Sequence, residues 1–196
     1  MYIDTHCHLS IEDYNDIDKV IEENKDALVE KIVVSGCSRE SIEEVMDLKD
    51  KYDMIYVTIG YHPEYADTIT KSDLDYLKSL LGEKKIIGIG EIGLDYHYTK
   101  ENKDKQIWLF EEQLKIADAF NLPVVIHSRD ATMDTINILK KYKAKGIIHS
   151  LLSIGRQMSG PFLESRAQYA WEDKCQQYEV LSAFPTLFSE LLLVKR

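Results

Sequence analysis

Up to about residue 150 the chain repeats one pattern, a short apolar run followed by an amphipathic segment. Few folds accept such a sequence. The apolar runs predict strands at Tyr2–Thr5, Lys31–Ser35, Met54–Ile59, Lys85–Gly90, Pro123–Ile126 and Gly146–Ile148. The segments between them have helical spacing: Ile42, Val45 and Met46 share one face, as do Leu74, Leu77 and Leu81. A third segment places Ile107, Phe110, Leu114 and Ala117 on one side and its charges on the other. Continuous runs such as Ile32-Val33-Val34 and Val124-Val125-Ile126 suit strands covered on both faces of a parallel sheet. Six βα steps in succession mean a parallel α/β fold. A (β/α)8 barrel of the TIM type needs eight, so the pattern reads as an incomplete barrel, short by two strands.

Past Ser150 the character changes, which divides the chain into a barrel portion, 1–150, and a divergent tail, 151–196. Ile and Lys number 20 and 17 in the first part and fall to one and two in the second. At the earlier frequency the tail would hold roughly six and five. Ser182-Ala183-Phe184-Pro185 through Leu191-Leu192-Leu193-Val194 reads as a terminal helix, but without βα punctuation. Ile and Lys codons are AT-rich, so their joint loss is what a shifted reading frame or an equivalent truncation produces. A natural extension of different origin would look similar.

Composition narrows the class of function. A formal net charge of -10 argues against a broad electrostatic footprint on nucleic acid. It leaves open an enzyme that grips one or two phosphates through cations, since bound divalent ions reverse the local sign of a site. No apolar run approaches membrane-spanning length, and a first strand expected from Met1-Tyr2-Ile3-Asp4 would leave no room for a signal peptide. Cys7, Cys37 and Cys175 are an odd, widely spaced set without disulfide or zinc-knuckle spacing. These features predict a cytoplasmic protein with reduced thiols, no membrane association and no stable protein partner.

Chemistry is carried by residues at the ends of the expected strands. In Thr5-His6-Cys7-His8, side chains two apart on an extended strand point the same way, so one metal ion can be reached by both imidazoles. Alone, such a pair is often a surface coincidence. Here it lies at the end of the first strand, where barrel active sites are built. In Gly88-Ile89-Gly90-Glu91-Ile92-Gly93-Leu94-Asp95 a carboxylate is set among glycines after an apolar strand, where it can bridge two cations; an exposed turn is the plainer alternative. His127 and His149 each follow a β-branched run. One such histidine can be a core residue bonded to a carbonyl, but two at equivalent strand ends fit a shared purpose, and neutral imidazole is the commonest metal ligand. Four histidines and Glu91 thus converge from four strand ends. His62, in Gly60-Tyr61-His62-Pro63, would contact substrate or orient a ligand. His97, in Tyr96-His97-Tyr98, fits a surface or lid role equally well. Arg129 would bind phosphate; with Asp130 it could equally cap the helix that follows.

These segments, in this order, resemble the TatD family of metal-dependent hydrolases. The likeness rests on Tyr2-Ile3-Asp4-Thr5-His6-Cys7-His8, Gly60-Tyr61-His62-Pro63, Gly90-Glu91-Ile92-Gly93-Leu94-Asp95-Tyr96, Leu122-Pro123-Val124-Val125-Ile126-His127-Ser128-Arg129-Asp130-Ala131 and Ile147-Ile148-His149. It covers nearly all of residues 1–150. It implies a TIM barrel of the amidohydrolase-like kind and a metal-dependent deoxyribonuclease acting on DNA. His6 and His8 would bind one ion, Glu91 would bridge two as the catalytic carboxylate, and His127 and His149 would bind the second. Two divalent ions are implied, and a histidine-rich site favours zinc or manganese over magnesium. Two departures stand out. Ser150-Leu151-Leu152-Ser153 breaks the family's pattern after its last histidine. A metal-binding Asp at the end of a late strand has no counterpart, since Asp173 is the only Asp after residue 150 and no apolar run precedes it. The expectation is two-metal phosphodiester hydrolysis at reduced or no activity; the alternatives are a catalytically impaired truncated chain and a barrel hydrolase of small esters or amides.

Overall fold

In the computed structural model the chain is described over residues 2–97 and 101–142, with the backbone alone over 147–151 and 167–171. The strands are β1 (Tyr2–Cys7), β2 (Val29–Gly36), β3 (Ile55–Ile59), β4 (Ile86–Asp95), β5 (Val124–Arg129), β6 (Ile147–Leu151) and β7 (Ala167–Trp171). The helices are α1 (Ile17–Asp26), α2 (Arg39–Lys51), α3 (Lys71–Leu80), α4 (Lys103–Phe120) and α5 (Thr132–Leu139), with a 3-10 turn at Pro63–Tyr65. Among the described residues no helix is long and apolar enough to cross a membrane.

Helix boundaries follow from local chemistry. Asp16 accepts a hydrogen bond from the Lys19 amide at 3.0 Å to start α1, and the Ser38 hydroxyl accepts one from the Ser41 amide at 3.1 Å to start α2. At the head of α3, Asp73 accepts from the Thr70 amide at 2.8 Å, reaching back over one turn. Asn121, in the left-handed region at φ 55, ends α4.

All neighbouring strands pair in parallel and in chain order, β1-β2-β3-β4-β5-β6-β7. A doubly wound sheet reverses its strand order once; this one does not, and right-handed crossovers then lay every helix on the same side. That is the winding of a (β/α)8 barrel. Ile55, Val57, Ile59, Ile89, Val124 and Ile126 are buried along the strands, and Phe110 and Leu114 of α4 pack into the same core.

The six expected strands all form. A seventh strand, β7, is not among those expected, because the alternation does stop after Ser150. Ala167-Gln168-Tyr169-Ala170-Trp171 contains no β-branched residue and no regular alternation, yet its backbone pairs in register with β6. Among the described residues the sheet is therefore one strand short of eight, not two. The expected terminal helix at 182–194 and Asp173 lie outside the described residues.

Strand β4 also runs further than its apolar residues suggest, so that Glu91 sits mid-strand and not at its end. Two glycines allow this by bringing β4 tight against β5. A Cβ on Gly90 would lie 2.5 Å from Val125 Cβ, and one on Gly93 would lie 1.9 Å from the His127 carbonyl oxygen. His127 likewise falls inside β5, and His149 inside β6.

Candidate metal centre

The carboxyl-terminal halves of the strands bring four of the five expected ligands together, three histidines around Glu91. Its Oε2 lies 3.4 Å from His6 Nε2 and 3.3 Å from His8 Nε2, while Oε1 lies 3.2 Å from His127 Nδ1. His6 and His8 are two apart on β1 and its continuation, their rings edge-to-face with centroids 5.0 Å apart. Ser35 on β2 holds His6 in place: its hydroxyl is 3.1 Å from His6 Nδ1 and 2.7 Å from the Thr58 hydroxyl on β3. The other nitrogen, His6 Nε2, is buried without a hydrogen-bond partner, its approach to Glu91 being misaligned for one. A buried imidazole nitrogen left unpaired is costly in a dry site and is what a ligand lacking its cation looks like.

On the far side of Glu91, His127 is held at both nitrogens. Asp95, also on β4, approaches His127 Nε2 at 2.9 Å. His62 follows β3, and its ring stands edge-to-face on His127 with centroids 4.2 Å apart. Two groups thus offer ligand atoms within 4.8 Å of one another, His6 with His8 and Glu91, and His62 with Glu91 and His127. Glu91 belongs to both. The nitrogen and oxygen donors of both groups suit a borderline divalent ion such as zinc.

Charge follows from these contacts. Burial alone would raise the Glu91 carboxyl, but the imidazoles of His127, His6 and His8 around it outweigh this and hold it well below the usual carboxylate range. Burial likewise disfavours the charged form of His127, yet Glu91 and Asp95 pull its pKa upward. His8 is pushed up to about 11 by contacts with Cys37 Sγ and then Glu91. Burial raises the Cys37 thiol and keeps it neutral, so the carboxylate is the effective partner. His62 goes the other way, down to about 4, through burial and then the neighbouring His127, so its imidazole stays neutral.

The remaining candidates divide. Arg129, at the end of β5, lines the cleft together with His8, His62, Glu91, Asp95 and His127. Asp130 does not cap α5, whose N-cap is Ala131 without a side-chain bond. With φ at 53, Asp130 turns away from the helix, and its carboxylate meets His97 Nδ1 at 3.0 Å. His149 is placed by backbone alone, opposite Ile126 in the β5–β6 register, and its side chain lies outside the described residues. Asp95 received no role from the sequence, although it stands four residues after Glu91 and such spacing shares a strand face. Ser35 and Thr58 carried no signal beyond being hydroxyls at strand ends.

Known proteins bear on these observations. A family model described as "TatD related DNase" matches residues 3–183. An uncharacterized metal-dependent hydrolase, YabD, of Bacillus subtilis is 45% identical over 153 residues, covering 76% of this chain and 60% of its own length. A protein named deoxyribonuclease Tat-D in Schizosaccharomyces pombe is 36% identical over 160 residues, covering 73% of this chain and 51% of its own. The crystal structure of YJJV, a TatD homolog from Escherichia coli, superposes with a TM-score of 0.75 at 28% identity, covering 86% of this chain and 66% of that one. The chain thus spans between half and two thirds of the length of these relatives.

Proposed function

The chain belongs to the TatD-related DNase family, and from that premise we propose that it is a divalent-metal-dependent hydrolase that cleaves DNA phosphodiester bonds with two cations bridged by Glu91. The observation that carries this reading is the placement of one buried, ionised carboxylate with each oxygen against a different set of histidines. His6 and His8 would hold one ion and His127 the other, with His149 joining it by resemblance. When bound, such ions supply a Lewis acid that acidifies water and neutralises the charge building on phosphate oxygens.

The chain's own residues complete the task. Glu91 stays ionised in a dry setting because three histidines face it, so it keeps its negative charge for bridging. Neutral His62 beside His127 keeps an uncharged imidazole on the wall of the cleft, available as a ligand or a hydrogen-bond partner and not as a base. Arg129 sits on the cleft wall, where a guanidinium can pair two phosphate oxygens at once. The net charge of -10 makes the contact narrow: the phosphate is gripped at the site, not along a broad basic surface. The names of the relatives support the chemical class, and one of them, the Schizosaccharomyces pombe protein, supports DNA as substrate.

A second reading has its own observation. The cleft, with a volume of about 680 Å³, would also seat a small ester or amide. The purified chain should be loaded with Mn2+ or Zn2+ and offered an oligonucleotide, a small phosphodiester and a carboxylic ester in parallel. Chelator-sensitive DNA cleavage that falls at least about a hundredfold in Glu91→Gln is expected. Turnover of the small esters with DNA left intact would transfer the assignment to the second reading. DNA cleavage indifferent to chelator or to Glu91→Gln would end both.

A further inference from the structure

We propose that Gln106 and Gln113 of α4 are positioning residues of the metal centre, each using its amide as a backbone partner to lock a strand end that fixes His127 from one side. They lie seven residues apart, about two turns along one helix face. That face also carries Phe110, Leu114 and Ala117, all fully buried. Amphipathic spacing alone would place leucine at both positions, since Gln106 is 1% exposed and Gln113 is 0% exposed. A buried amide is costly unless every polar atom is paired, so the bonds made by these two show what they are for.

Both make the same pattern. Gln106 Oε1 accepts from the Asp95 amide at 2.8 Å, and its Nε2 donates to the Asp95 carbonyl at 2.8 Å and to Asn102 Oδ1 at 2.9 Å. Gln113 Oε1 accepts from the Tyr61 amide at 2.7 Å, and its Nε2 donates to the Tyr61 carbonyl at 3.0 Å. Each side chain therefore takes both backbone groups of one residue, as a neighbouring strand would. The residues held are Asp95, which touches His127, and Tyr61, whose neighbour in the chain does. Asp95 sends its carboxylate to His127 Nε2 at 2.9 Å. Tyr61 precedes His62, whose ring stands on His127 at 4.2 Å. One helix thereby sets the distance between the acceptor on one side of the imidazole and the ring on the other, leaving Nδ1 facing Glu91. Outer partners of a ligating histidine fix its ring and tautomer, and their loss commonly weakens metal affinity about 10- to 100-fold.

The inference rests on His127 being a ligand, and the test keeps the two ideas apart. Metal-stripped wild type, Gln106→Met and Gln113→Met are compared by NMR of 15N-labelled histidine rings. As a control, Lys49→Met removes a buried lysine that pairs with Asp50 and Glu83 away from the cleft. Gln106→Met should shift the His127 ring signals, and Gln113→Met those of His62 and His127. The control should lower the melting temperature and leave those signals in place. Cobalt affinity, read from its visible absorption, should fall about tenfold or more in both glutamine variants. If either methionine variant does not fold, glutamate is placed there instead, which keeps an acceptor for the backbone N–H and loses the donor. Folded variants with unmoved His127 and His62 signals overturn the proposal. Wild type that binds no cobalt overturns the metal reading, while the ring signals still decide the positioning.

Discussion

At the scale of single residues, the site turns on what Glu91 does before any cation arrives. It is 3% exposed and faces three imidazoles, so its negative charge favours the protonated form of His8 and shifts His127 in the same direction against its burial. Its pKa lies well below 4.5 in the folded chain. A carboxyl depressed by folding contributes stability that is fully present above its unfolded value, and loses it as pH falls through the folded value. Removing one partner of a buried ion pair costs about 3–5 kcal/mol. Glu91→Gln should therefore be less stable than wild type by roughly 3 kcal/mol near pH 6, with the gap closing as pH falls below 4.5. Urea unfolding of both metal-free proteins from pH 6 to pH 3 measures this. A gap that stays constant over that range would show that Glu91 is held by packing and not by charge.

At the scale of elements, β4 against β5 is the pair that the site cannot do without, and Gly93 sets their distance. Its φ is 149, and an added Cβ would lie 1.9 Å from the His127 carbonyl oxygen, an atom of the neighbouring strand's backbone. Gly82, with φ at 103, has open space around the same position. Both backbones disfavour an L side chain, at about 1–2 kcal/mol. Gly82→Ala should cost that amount and leave the site intact. Gly93→Ala adds the overlap with β5, so it should cost about 3 kcal/mol or more and displace His127. Equal melting temperatures for the two variants would mean that β5 yields easily, and the tight pairing would lose its role. The elements also show what was legible in advance. Ile32-Val33-Val34 and Val124-Val125-Ile126 announce strands because β-branched residues packed on both faces have few other homes. His127 and His149 could be found because each follows such a run, and His6 and His8 because they stand two apart at the end of the first strand. Asp95 offered only its spacing from Glu91, and Gln106 and Gln113 offered nothing, since their value lies in contacts across 11 and 52 residues of sequence. Strand β7 escaped because its pairing is made by backbone, to which side-chain pattern gives no clue.

For the molecule as a whole, the candidate metal centre also brings together parts of the sheet that are distant in sequence. β1 pairs only with β2 among the described strands, and its two histidines reach across the barrel mouth to Glu91 on β4. An ion held by His6, His8 and Glu91 would pin this outer strand to the middle of the sheet, binding the folded chain and not the unfolded one. Such a ligand stabilises by about 2.7 kcal/mol at a hundred times its dissociation constant. In a chain of 196 residues each kcal/mol moves the melting temperature by about 2–4 °C. Saturating Mn2+ or Zn2+ should therefore raise it by about 5–10 °C in wild type and hardly at all in Glu91→Gln. The gain should not be spread evenly. Amide hydrogen exchange should slow most in Tyr2–Cys7, whose outer position leaves it first to open, and least in α3, which packs away from the cleft. A uniform slowing would indicate that the ion stabilises the core generally. No slowing in β1, with the melting temperature still raised, would place the ion at the His62, Glu91 and His127 group alone, leaving His6 and His8 without a cation.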